Sequence, residues 1–167
     1  MQFPRSNLYQ IVCQDGNQAL RLTNLEPGGA ENSPVSAGHP DMNDMAQLWM
    51  VEKVGLDDDE FEIVNFQSTL VWDEEGGEIR LRRGKQAGDQ LFKVERVNNN
   101  SFWFKTSSDS NRAAALEGVL RYKHFDPNHP NQLFFIVPVN NSNSLNQSCI
   151  LTNNNSGKSL DVPGGTF

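Results

Sequence analysis

Three histidines, two cysteines and one run of acids hold most of this chain's capacity for chemistry. His124 and His129 sit in the loop-like stretch YKHFDPNHP, and His39 stands alone in AGHPD. A zinc site needs three or four ligands, and neither a cysteine nor a nearby histidine completes this set, so these read as exposed loop residues. Cys13 and Cys149 are too few and too far apart in sequence to define a disulfide framework or a metal motif, and whether they pair is open. The run Asp57, Asp58, Asp59, Glu60 lacks the alternating spacing of a calcium loop and reads as a solvated hairpin turn. No nucleophile elbow, phosphate-binding loop or dinucleotide fingerprint is present. These residues predict no catalysis, no metal and no cofactor.

Charge narrows the partners. The chain has 167 residues, a formal net charge of −7 and a sequence pI near 4.9. Nucleic acid and anionic membrane surfaces would repel it, so neither is expected as a partner. One basic stretch, Arg80, Arg82, Arg83 and Lys85, is flanked by acids and reads as a solvated strand face. No apolar run approaches the ~18 residues of a membrane helix. The N-terminal stretch MQFPRSNLYQIVCQDG lacks the apolar centre of a signal peptide, which predicts a cytosolic protein or one secreted without a classical signal. The Asn-x-Ser sequons at Asn99, Asn140, Asn146 and Asn154 then read as Asn-rich turns.

The elements that must position these residues announce themselves by repetition. AQLWMVEKV, DQLFKVERV and NQLFFIVPV each carry Gln, Leu, a large aromatic and an apolar run, with the glutamines at 47, 90 and 132. Two further apolar runs precede each: LYQIVC and ALRL, FEIVNF and TLVW, SFWFK and AAALEG. Gly, Pro, Asn and Asp clusters separate them, which supply positive φ or side-chain-to-backbone bonds for turns. Runs of this length, rich in Val, Ile and aromatics, predict short β-strands. The faint helical period around NRAAALEGVLR is better read as part of a hairpin. Three units of about 42 residues predict an all-β fold: a closed barrel of three equivalent four-strand units, which leaves no sheet edge exposed.

The once-per-unit Q-L-W, Q-L-F and Q-L-F resemble the Q-x-W signature of ricin-type β-trefoil lectins, fungal lectins among them. The resemblance implies a β-trefoil over 1–139, with repeats about 7–55, 56–97 and 98–139. In that family the Gln and the aromatic are structural. Sugar is held by the Asp of an LDV-like strand, an aromatic about ten residues before the Gln, and an Asn just before it. Such a site works because a carboxylate or amide takes bonds from two hydroxyls while an aromatic face covers the C–H side of the ring. The third repeat fits this pattern best: Asn131 precedes Gln132, Tyr122 stands ten before it, Glu117 takes the place of the Asp, and His124 and Asp109 assist. The first repeat has Arg21 for the Asp and Ala46 for the Asn, so a different site around His39, Asp41 and Asn43 is the alternative there. The second reads as degenerate, with Val71 at the Asp position, Asp89 at the Asn position and Arg80 in the loop.

Residues 140–167 form a polar linker and then SCILTNNNSGKSLDVPGGTF, the start of a fourth repeat or an extra strand pair, whose Asp161 matches the family Asp. A second trefoil module, an added strand pair and dimerisation through this tail are its readings. The function expected overall is a non-catalytic lectin with glycans or glycoproteins as partners. A protease inhibitor or other protein-binding β-trefoil acting through its long loops is the rival.

Overall fold

The computed structural model describes residues 3, 7–23, 29–54, 59–85, 88–106 and 109–139. The tail from 140 onward, with Cys149 and Asp161, lies outside them, as do Asp57 and Asp58. The described chain is all β, with single turns of 3-10 helix as its helical content. The first lobe holds β1 (Leu8–Cys13), β2 (Gln18–Leu22), β3 (Val35–Gly38) and β4 (Trp49–Lys53). The second holds β5 (Glu60–Asn65), β6 (Val71–Glu75), β7 (Glu78–Arg82) and β8 (Phe92–Arg96). The third holds β9 (Ser101–Thr106), β10 (Arg112–Glu117), β11 (Val119–His124) and β12 (Phe134–Val139).

The first and last strands of the lobes close a ring. β1 pairs with β4, β4 with β5, β5 with β8, β8 with β9, β9 with β12 and β12 with β1, all antiparallel. The middle strands form three hairpins, β2–β3, β6–β7 and β10–β11, that cap the ring. A six-strand barrel capped by three hairpins, in three equivalent lobes, is a β-trefoil. The alanine-rich stretch with a faint helical period is one of these hairpins, turning at Gly118, whose φ of 76° suits glycine.

Alternation along the barrel strands builds the core in layers. Ile11, Ile63 and Phe104 lie opposite Ile136, Val51 and Val94; Cys13, Asn65 and Thr106 lie opposite Phe134, Trp49 and Phe92. All six members of the first set are buried. Tyr9, Phe61 and Phe102 form the end layer, and Phe3 plugs it, its ring edge-on to each at 5.6, 5.3 and 5.7 Å. On the cap side the symmetry breaks. Trp72, Leu20 and Ala114 occupy equivalent hairpin positions, and the large indole fills the axis that the smaller two leave open. Trp72 lies edge-on to Trp49, Phe92 and Phe104 at 5.0–5.9 Å.

Candidate functional site

The signature glutamines come first because they set the register of everything around them. Each ends a 3-10 turn: Met45–Gln47, Gly88–Gln90 and Pro130–Gln132. Gln47 Nε2 donates to His39 O (2.8 Å), Gln90 Nε2 to Arg83 O (2.8 Å) and Gln132 Nε2 to His124 O (2.9 Å). Their Oε1 atoms accept from the backbone N–H of Asp41, Lys85 and Asp126 at 2.7–2.9 Å. A buried side-chain amide thus ties each 3-10 turn to the chain leaving the hairpin, satisfying groups that would otherwise be orphaned. Glutamine fits because it offers a donor and an acceptor on one arm. The repeat is a structural clasp.

These bonds make His39, Arg83 and His124 equivalent. Counting back along the hairpin pairs, Arg21 opposite Ser36, Asp73 opposite Arg80, and Ala115 opposite Arg121 are then equivalent. This is the position just after the core residue of each hairpin, facing the 3-10 turn. In the first lobe Arg21 there meets Asp44, 3.4 Å away, which also caps the 3-10 turn through Ala46 N. In the third, Ala115 is buried and apolar, beside the buried Asn131, whose Oδ1 has no hydrogen-bond partner.

The second lobe places a carboxylate in this groove. Asp73 is 6% exposed. Its Oδ2 accepts from Gln90 Nε2 at 3.0 Å, while its Oδ1 has no hydrogen-bond partner and lies 3.8 Å from Arg82 Nη1. Asp89, exposed in the same turn, is a second carboxylate near it. Burial pushes the Asp73 carboxyl above the usual carboxylate range; the Gln90 bond pulls it back, Asp89 raises it and Arg82 lowers it. The sequence reading of Val71 as the Asp position is corrected here: Val71 lies two residues earlier and is buried in the hairpin.

The residues expected to form a third-lobe site fall into two places. Asp109, Tyr122, His124 and Asn131 gather at the base of the β10–β11 hairpin, whereas Glu117 sits at its tip beside Gly118, with Lys123 Nζ at 3.3 Å from its carboxylate. Tyr122 is a core residue, 2% exposed, as is its second-lobe equivalent Leu81. Its hydroxyl accepts from Thr106 N and donates to Asp109 O at 3.3 Å, and Arg112 covers its ring at 4.8 Å. The expectation of a stacking face at Tyr122 is therefore corrected: in the third lobe the residue ten before the Gln points inward. Asp109 caps a turn through Asn111 N, and His124 is exposed. His129 caps the third 3-10 turn, its Nδ1 accepting from Asn131 N at 3.4 Å. In the first lobe, His39 and Asp41 give backbone groups to Gln47, and the Asp41 carboxylate accepts from Asn43 N at 2.9 Å.

No protein-family model matches the chain. No curated protein matches it either. Solved structures do. The designed three-fold symmetric protein ThreeFoil superposes with a TM-score of 0.69 at 16% identity, over 79% of this chain and 99% of that one. A Polyporus squamosus lectin, solved with the epitope Neu5Acα2-6Galβ1-4GlcNAc, gives 0.65 at 18% identity over 81% of this chain. An endo-β-galactosidase from Clostridium perfringens gives 0.67 at 19% over 80% of it. The chain spans half of that lectin chain and about a third of that enzyme chain. At these identities the likeness speaks to the fold, and the fold is the β-trefoil.

Proposed function

We propose that this chain is a non-catalytic carbohydrate-binding β-trefoil of the ricin (Q-x-W) kind, which takes glycan hydroxyls in the second-lobe groove. The observation that carries the reading is Asp73 Oδ1, a buried carboxylate oxygen without a hydrogen-bond partner. A buried acceptor left open is costly, and a sugar hydroxyl would fill it. Asp89 stands where the family has Asn and adds a second acceptor. Arg82 would donate to a ring hydroxyl. The outward positions of β7 carry arginines rather than a stacking aromatic, so one site is weak and a second module, or several copies, supplies avidity.

The test is a glycan array with the wild-type chain, Asp73→Asn, Asp89→Asn and Asn131→Ala. The expected result is binding to a defined glycan that is lost in Asp73→Asn and kept in the other two, Asp89→Asn because it restores the family residue. Loss in Asn131→Ala with Asp73→Asn unaffected would move the site to the third lobe. Silence across the array would sink the lectin reading.

A further inference from the structure

A second place with binding chemistry lies on the pseudo-three-fold axis of the cap, adjoining the Asp73 groove through Arg80. The third strands of the lobes meet there: Arg121 of β11 pairs with Glu78 of β7, and Pro34, just before β3, bridges to Arg80. Between them is a cleft of about 200 Å³ whose lining includes Pro34, Glu78, Val119, Arg80 and Arg121. Pro34, Glu78 and Val119 are the same position in the three lobes, two residues before Ser36, Arg80 and Arg121. The symmetry thus collects equivalent positions around the axis, and lobes two and three supply guanidinium groups.

Those guanidiniums are differently engaged. Arg80 is committed: it donates to Asn32 O at 2.8 Å and through Nε to Glu78 Oε1 at 2.9 Å. Arg121 is 40% exposed and meets Glu78 Oε2 at 3.9 Å, beyond hydrogen-bond distance. A guanidinium has five donors, so most of the Arg121 fork at this cleft is unused within the described residues. Glu78 already lies between the two cations, a carboxylate from within the chain in the place an incoming one would take. Two positive groups against one negative leave the cleft locally positive in a chain of net charge −7. Its volume is below the ~300–1,000 Å³ of a drug-sized site, so it suits a single acidic ring.

We propose that this cleft is a binding site for the acidic group of a small anionic sugar, a carboxylate or a sulfate, held by the Arg121 fork against the apolar wall of Pro34 and Val119, with Arg80, engaged by Glu78 and Asn32, adding only its charge. Planar forked recognition of either oxyanion is what arginine does best.

The experiment is a titration at low salt with D-glucuronate, glucose 6-sulfate and D-glucose, followed by NMR shifts or calorimetry on the full chain. One or both anions should bind and glucose should not; which anion binds names the group. Arg121→Gln should weaken binding about tenfold, the scale of one charge-assisted bond. Glu78→Gln should tighten it by up to about fivefold, because it removes the internal competitor, an effect that misfolding cannot imitate. Asp73→Asn removes a negative charge opposite Arg80 and should not weaken it, which separates this site from the groove. Equal binding of glucose, no binding of either anion, or weaker binding in Glu78→Gln would overturn the proposal.

Discussion

The second and third lobes hang the same glutamine from the same kind of backbone bonds, yet they fill the hairpin beside it in opposite ways. In the second, Trp72 fills the axis and Asp73 faces the 3-10 turn; in the third, Ala114 and Ala115 hold those positions. Both lobes fold alike because the glutamine clasp and the barrel layers do not depend on these two residues. The difference teaches which positions carry the architecture and which are released to vary. It also locates the open carboxylate: the second lobe leaves Asp73 Oδ1 without a hydrogen-bond partner, where the third leaves the amide oxygen of Asn131.

The largest test of this comparison lies on the axis. Trp72→Ala removes the indole against which Trp49, Phe92 and Phe104 are packed edge-on, and should cost about 3–5 kcal/mol in urea unfolding. Ala114→Leu enlarges the side that yields to the indole and should cost about 1–3 kcal/mol by overpacking. Near-equal, small losses would mean that the two lobes do not share one axial volume.

The clasps should cost less and split the lobes more finely. Gln132→Leu strands His124 O and Asp126 N, and Gln90→Leu strands Arg83 O and Lys85 N, so each should lose about 1–3 kcal/mol. Only Gln90→Leu also strips the donor from Asp73 Oδ2. It should therefore raise the Asp73 carboxyl further and weaken glycan binding, while Gln132→Leu leaves both unchanged. Calorimetric unfolding beside binding at one pH reads the two effects separately.

Much of this was legible in the chain. Three Q-L-aromatic stretches at nearly even spacing mark the lobes, because the clasp needs one residue type seven or eight residues past the hairpin. β3, β7 and β11 were not singled out among the apolar runs: VSAG is small and half-buried, and EIRLR and VLRYKH carry charges on their outward faces. The site was read less well. Counting from the apolar runs puts Glu117 and Val71 at the Asp position, because such runs fix a hairpin only to within a step or two of its register. A better signal was present: WDEEGG repeats the spacing of LDVPGG in the tail, with the acid three residues before paired glycines, and that aligns Asp73 with Asp161. Tyr122 matched its motif by distance alone, and distance does not say which face of a strand a side chain takes.

The smallest effect is the one most specific to the second lobe. Burial lifts the Asp73 carboxyl above its ordinary value, so between the two values the folded chain holds a proton that the unfolded chain has released. Stability contributed by this group is present at acid pH and is lost as pH rises through that window. Asp73→Asn should remove that part of the pH slope, whereas the third lobe, with Ala115 at the same place, has no counterpart to remove. Glycan binding should run the other way. Hydroxyl donors need the ionised carboxylate, so affinity should fall as pH drops into the window, earlier than for an ordinary aspartate. Asp89 raises the Asp73 carboxyl, so Asp89→Asn should shift the midpoint downward by removing the neighbouring charge. Urea unfolding and glycan binding, each followed across the acid range in the wild type and both variants, measure this. Opposed slopes that vanish together in Asp73→Asn would tie the open carboxylate to both properties, and slopes that persist would assign them to other groups.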